Sequence, residues 1–261
     1  MKLETVLYDV QDGIARIRLN RPHRLNAMVP QLMRDLHHAF VAAGGDPAVR
    51  VVILSGEGRA FCAGDDLKES AQAPTDVGSV RRFVDEIQQV TVDMKSMPKP
   101  IIGAIHGYAV GGGCELALDC DLVVAAEDAK FGFVETGVGL FSTGGVTHFL
   151  PRAVGLAKAK ELIMIGELFD GREAERLGLV NRAVPRDQVL AVAEALARKI
   201  MEKAPIPIAM TKIALEAGVQ SDLATAMALE TASTVTCFLT EDAREGARAF
   251  VEKRPPRYRG T

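Results

Sequence analysis

The chain has 261 residues, 48% hydrophobic and 25% charged, the composition of a globular protein long enough for one large domain or two small ones. Its 31 Lys and Arg against 34 Asp and Glu leave a net charge of −3, which argues against a nucleic-acid binder or a protein drawn to anionic membranes. An anionic ligand would have to be held by a few local basic residues. Cys62, Cys114, Cys120 and Cys237 form no C-x-x-C pair, so zinc-ribbon and thioredoxin motifs are absent, and they read as small buried hydrophobes in a reduced compartment.

Met1-Lys2-Leu3-Glu4 lacks the basic region and apolar run of a secretory signal. No stretch approaches the roughly 18 apolar residues of a membrane span. A cytoplasmic protein is expected. Residues 4–10 and 14–20 are β-type runs around Asp12-Gly13, a hairpin signal. Leu32, Met33, Leu36 and Phe40 fall at helical spacing on 30–43, and Gly44-Gly45-Asp46 is expected to end that helix. Arg50 to Leu54 reads as a buried strand. A second helix is predicted over about 79–96, stopped by Pro98 and Pro100. Strands follow at 101–106 and 121–126, with a short helix between them from Gly112, and a further strand near 179–184. Strands alternating with helices indicate an α/β architecture.

After Val184 the pattern changes. Residues 186–203, 205–218, 221–239 and 240–253 all have helical period. Four short helices cannot build a large core of their own, so they must pack on the body, on a neighbouring subunit, or on both. The expected organisation is an α/β body over 1–185 and a helical region over 186–261.

Several activities lack their motifs. No phosphate-binding G-x-x-x-x-G-K-[ST], no H-E-x-x-H and no G-x-S-x-G occurs, and Gly137-Val138-Gly139-Leu140-Phe141-Ser142 fails the dinucleotide fingerprint at its last position. The five histidines show no metal-ligand spacing with acidic partners. Hydride transfer, metallohydrolysis and serine hydrolysis are therefore disfavoured, and no metal is expected.

Two glycine-rich segments do follow strands. They are Phe61-Cys62-Ala63-Gly64-Asp65-Asp66-Leu67-Lys68-Glu69 and His106-Gly107-Tyr108-Ala109-Val110-Gly111-Gly112-Gly113-Cys114-Glu115-Leu116. In each, small residues run into a helix start, where free N–H groups and the positive end of the helix dipole point outward. One such loop could merely permit a tight turn. Two, on neighbouring strands, make a site for a developing oxyanion. Glu115, in the first helical turn, could simply stabilise the helix terminus, and Glu135 could be a solvated loop acid. Together they would supply two carboxylates beside that site, as addition or removal of water next to a thioester carbonyl requires. One handles a water proton and the other the proton at the α-carbon.

The whole chain resembles the crotonase superfamily of enoyl-CoA hydratases and isomerases. Asn20 to Met28 resembles its first CoA-binding loop, and Phe61 to Glu69 its F-C-A-G-x-D-L-K-E loop. Gly107 to Cys120 resembles its N-G-x-x-x-G-G-G-x-E-L helix start, and Phe250-Val251-Glu252-Lys253-Arg254 its F-x-E-K-R segment. The resemblance implies a spiral of ββα turns with a helical tail, assembled as a homotrimer or a hexamer of two trimers. It maps the oxyanion hole onto the N–H groups of Asp65 and Gly112 and the two hydratase glutamates onto Glu115 and Glu135. It maps CoA and substrate contacts onto Arg24, Ala27, Ala63, Asp66, Leu67 and Lys68, with Phe250 and Lys253 reaching a neighbouring subunit. CoA enters as part of the substrate, with no permanent cofactor.

Three positions depart from the family pattern. Asp65 stands where Ala is frequent, and its side chain is expected to point away from the developing negative charge. Val134 precedes Glu135 where Pro is common. Leu140-Phe141-Ser142-Thr143-Gly144-Gly145 replaces a segment that often reads I-P-G-A-G-G, and is expected to shape the acyl pocket. Double-bond isomerisation, dehydration of an unusual acyl-CoA and thioester hydrolysis remain alternatives on this fold. RNA binding would need a basic stripe, and the helix at 79–96 sets only Arg81, Arg82 and Lys95 against Asp85, Glu86 and Asp93.

Overall fold

A computed structural model describes residues 3–72 and 74–261; Met1 and Lys2, read above as the start of an unexceptional amino terminus, lie outside the described residues. Strands β1 (Val6–Gln11) and β2 (Ile14–Leu19) form an antiparallel hairpin with Gln11 opposite Ile14. Asp12 and Gly13 both adopt positive φ, 52° and 79°, the conformation that matches a two-residue turn to the twist of its strands. Helix α1 (Pro30–Gly45) starts on a proline, which lacks only an N–H that would be unpaired there anyway. It buries Leu32, Met33, Leu36, Ala39, Phe40 and Ala43 along one face. It runs two residues past the expected end, through Gly44 and Gly45, and Lys99 Nζ donates to the carbonyls of Ala43 and Asp46 at its terminus.

The chain then climbs by repeated turns. β3 (Val51–Gly56) is followed by the short α2 (Leu67–Ser70) and by α3 (Val77–Ser96). Next come β4 (Ile101–Ile105), β5 (Tyr108–Val110) and α4 (Gly112–Asp119). β6 (Leu122–Ala126), β7 (Lys130–Gly132), α5 (Val146–Val154) and α6 (Leu156–Ile165) make a further turn. β8 (Phe169–Asp170), α7 (Gly171–Arg176) and β9 (Arg182–Val184) finish the body. One sheet has the order β1-β2-β3-β4-β6-β9, parallel from β2 onward, and a second has the order β5-β7-β8. The turns β4-β5-α4 and β6-β7-α5 each place one strand in the large sheet, one in the small sheet and then a helix. This is the expected ββα spiral. Val51 to Ser55 of β3 and all of β4 are buried, as in parallel strands covered on both faces.

The large-sheet strands and the long helices lie within a few residues of their expected spans. The small sheet and helices α5 to α7 were not expected. Strands of three, three and two residues are too short to display alternation, and α5 carries Pro151 inside a helix bounded by Gly145 and Gly155.

The helical region begins with α8 (Val189–Met201), which lies on β3, β4 and β6 and buries Val189, Ala193 and Ala197. α9 (Pro205–Gly218) packs on α10 (Leu223–Phe238), and α11 (Glu241–Val251) follows. Lys212 of α9 is buried; its Nζ pairs with Asp121 Oδ2 at 2.8 Å and donates to Met94 O at 2.8 Å, tying the tail to the body. No residue of α10 is buried. Among the described residues no single helix is long and apolar enough to cross a membrane; α10 and α11 pass that test only as a pair, bent by 70°.

Candidate active site

The two glycine-rich loops are stitched together by backbone. Cys62 N–H donates to Tyr108 O at 2.8 Å, Val110 N–H to Cys62 O at 3.0 Å, and Cys62 bridges Ala109 in parallel register. Gly64 and Gly111 both have positive φ, 84° and 56°. A Cβ on Gly64 would stand 2.7 Å from Val110 O and 3.5 Å from Gly112 N, and one on Gly113 would overlap Cys62 O. Only glycine permits this approach. It sets the Asp65 loop against the N-terminus of α4. Gly112 opens that helix, so its N–H has no carbonyl behind it. Met28 donates to Gly64 O and accepts from Asp66 N–H, passing over the N–H of Asp65, which donates to no group among the described residues. Two unpaired N–H groups therefore meet at one junction, the arrangement an oxyanion requires.

Glu115 lies in the first turn of α4 and is only 2% exposed. Thr143 holds both of its oxygens: the N–H donates to Oε1 at 2.7 Å and the hydroxyl to Oε2 at 2.8 Å. Glu135 begins a short 3-10 turn, Glu135–Val138, and is 8% exposed. Its Oε2 accepts from Ser142 Oγ at 3.2 Å, whereas its Oε1 is buried with no partner. That free oxygen would stand 3.2 Å from a Cβ on Gly111, at the mouth of the same helix. The structure thus brings Glu115, Glu135, Asp65 and Gly112 together.

Burial raises the pKa of both glutamates. For Glu115 desolvation dominates, the two Thr143 bonds oppose it, and the charges of Glu135 and Asp65 add to it, pushing the group up to about 7. For Glu135 desolvation also prevails over its hydrogen bonds. Asp65 carries a third carboxyl close by. Its half-buried carboxyl has its Oδ1 3.9 Å from where a Cβ on Gly112 would stand, and burial followed by the charge of Glu135 raises its pKa. Its carboxyl thus lies at the same glycine junction as the two glutamates. Among the described residues no group of three His, Cys, Asp or Glu forms a metal-ligand set.

The residues mapped to CoA divide into two groups. Arg24, Leu67 and Lys68 are exposed, Ala63 is half-buried, and Ala27 is buried with its carbonyl accepting from Arg21 Nη1. Asp66 is buried and spends its carboxylate internally, capping α2 at the Glu69 N–H and pairing with Arg21 Nη2 at 3.2 Å. Burial raises its pKa, but these bonds outweigh it and hold the group below its ordinary value. Phe250 and Lys253 stand exposed at the end of α11, and no hydrogen bond or ion pair joins them to the Asp65 or Gly112 loops among the described residues. Two surface clefts, of about 950 and 740 Å³, border neither glutamate.

Reading the sequence missed Arg21, whose buried guanidinium also reaches Glu69 Oε1 at 2.8 Å, and Asn26, which bonds Arg21 N–H, Glu57 O and Ala60 O. It also missed the separate roles of Ser142 and Thr143. Hydroxyls in a glycine-rich loop after Glu135 were the only signal.

A ββα spiral with two carboxylates beside paired backbone donors defines a crotonase-type enzyme. The enoyl-CoA hydratase/isomerase family profile matches residues 9–261. The mouse mitochondrial methylglutaconyl-CoA hydratase is 41% identical over 95% of this chain and 80% of its own length. A crotonyl-CoA hydratase of Syntrophomonas wolfei is 35% identical over 99% of both chains. The crystal structure of an enoyl-CoA hydratase from Bacillus anthracis superposes with a TM-score of 0.95 at 37% identity, covering 99% of this chain and 100% of that one. The chain belongs to the enoyl-CoA hydratase/isomerase family, whose members act on CoA thioesters.

Proposed function

We propose that this chain hydrates the 2,3 double bond of an enoyl-CoA thioester, or runs the reverse dehydration, using Glu115 and Glu135 as its acid–base pair. The observation that carries this reading is the pair of buried carboxylates, held by different donors, beside the free N–H groups of Asp65 and Gly112. The N–H groups take the negative charge that builds on the thioester oxygen. Glu115 accepts a proton from water as its oxygen bonds to C3, and Glu135 delivers a proton to C2 through the unpartnered Oε1. One proton is taken up and one given, so the pair is reset by exchange between the carboxylates. No cofactor enters the step. Arg24 and Lys68 are exposed cations beside the loops and suit the phosphates of CoA.

Replacing each glutamate by Gln, with loss of enoyl absorbance as the assay, tests the reading. Both variants should lose hydration. Deuterium uptake at the α-carbon of a saturated acyl-CoA should vanish in Glu135→Gln and persist in part in Glu115→Gln. Wild-type hydration by both variants overturns the assignment. Wild-type hydration by Glu115→Gln alone makes the enzyme an isomerase with one working carboxylate.

In the same reading residues 1–185 carry the site and residues 186–261 form the helical region that assembles a homotrimer or hexamer and closes the CoA site, with Phe250 and Lys253 serving a neighbouring subunit. Support comes from Leu223, Met227, Val235 and Phe238 of α10, which a single chain leaves exposed. A cytoplasmic location is proposed on the absence, among the described residues, of any single membrane-spanning helix.

A further inference from the structure

Three carboxyl groups, those of Asp65, Glu115 and Glu135, surround the junction of the two glycine loops, and none enters an ion pair among the described residues. Glu115 and Glu135 are answered only by neutral donors from Thr143 and Ser142, and Glu135 Oε1 has no partner at all. Neighbouring cations are engaged elsewhere: Arg21 pairs with Asp66 and Glu69, and Lys95 with Glu216. Between Glu135 and Ser142 the loop presents Val138, Leu140 and Phe141, all exposed and apolar. An acyl group entering this site meets an apolar rim and then three carboxyl groups that no cation among the described residues pairs with.

A second carboxylate on the acyl group would be desolvated beside other acidic groups with no cation to pair with it, which is costly. Asp65 matters most here. Both glutamates serve the proposed reaction, whereas that chemistry needs only the N–H of Asp65. Resting on the hydratase reading, we propose that Asp65 is a specificity-determining residue: its carboxyl completes an uncompensated acidic wall that rejects acyl groups bearing a distal carboxylate. The site therefore takes enoyl-CoA thioesters whose acyl groups are uncharged.

Crotonyl-CoA and glutaconyl-CoA differ by one terminal carboxylate and make the direct comparison. At pH 8 and constant ionic strength, the wild type should favour crotonyl-CoA in kcat/KM by more than about tenfold. Asp65→Asn and Asp65→Ala should each narrow that ratio by about tenfold, by improving glutaconyl-CoA relative to crotonyl-CoA. Two variants guard against a fold defect in one. The unreactive butyryl-CoA and glutaryl-CoA, compared by calorimetric Kd, read the same discrimination without turnover. If no substrate is hydrated but the affinity ratio behaves as stated, the hydratase reading fails and the specificity role stands. A wild type that binds and hydrates both acyl groups equally well overturns the proposal. So does a preference that both variants leave unchanged.

Discussion

Thr143 grips Glu115 from 28 residues further along the chain, its N–H on one carboxylate oxygen and its hydroxyl on the other. Two donors aimed at one carboxylate favour its charged form, while burial favours the neutral form and prevails, leaving the group at about 7. The hydroxyl is therefore a control on the charge state of Glu115. Thr143→Val keeps the shape and the N–H but removes that donor. The pKa of Glu115 should rise, and the acid limb of the hydration pH profile should move up by roughly half a unit or more. Thr143→Ser should restore it. A pH series of kcat/KM for the three proteins checks this, since a hydroxyl that merely packs would leave the limb in place.

The same burial makes Glu115 a liability to folding. Its folded pKa lies above the ordinary carboxylate value, so between the two the unfolded chain gives up a proton that the folded chain retains. Stability from this group is full below its ordinary pKa and is lost as pH rises through about 7. Glu115→Gln does not titrate, and its amide can donate to the Thr143 hydroxyl while accepting from the N–H. The variant should match the wild type near pH 4 and exceed it at pH 8, by on the order of 1 to 3 kcal/mol. Denaturant melts at the two pH values measure the difference.

What could be read in advance follows the range of the interactions. α1, α3 and β4 carry apolar patterns set by near neighbours in sequence, and they lie within a few residues of their expected places. Glu115 was visible because an acid in the first turn of a glycine-led helix is a local feature. The grip of Thr143 was not, because only the fold brings the two together. Asp65 marks the same limit. Its N–H is placed by the loop pattern, but the nearness of its carboxyl to Gly112 exists only in the folded chain. Asp119, one turn after Glu115, is buried and accepts from Thr91 Oγ1 at 2.7 Å, a contact between α3 and α4 that neither helix announces by itself.

Gly112 offers a separation of shape from hydrogen bonding. A Cβ there would meet the sulfur of Met28, so any substitution disturbs packing. Proline suits the first position of a helix, and its missing N–H costs the helix nothing. Gly112→Ala adds the Cβ and keeps the donor, whereas Gly112→Pro adds it and removes the donor. Relative to the Ala variant, the Pro variant should lose a further factor on the order of 100 to 1000 in turnover, with circular dichroism confirming that both fold. Equal turnover in the two would mean that the Gly112 N–H does not serve the oxyanion.

Phe238 is 76% exposed and Leu239 73% exposed at the end of α10, which lies on α9 but buries none of its own residues. Apolar side chains left this open on one helix support the proposal that another chain covers them. The neighbouring tail is the candidate, since Leu223, Met227 and Val235 extend the same exposed apolar character along α10. Placing a charge at the end of this helix should be tolerated by the isolated chain, because nothing there is packed. It should be resisted by an assembly, because a buried unpaired carboxylate is costly. Phe238→Asp should therefore shift the protein at micromolar concentration from a trimer or hexamer toward the 28.0 kDa chain, while its far-ultraviolet spectrum stays unchanged. If Phe250 and Lys253 serve the site of a neighbouring subunit, KM for the acyl-CoA should rise in step with dissociation. Sedimentation equilibrium and steady-state kinetics on the same samples test both. A wild type that sediments as a single chain, or a variant that falls apart with KM unchanged, would separate α10 from CoA binding.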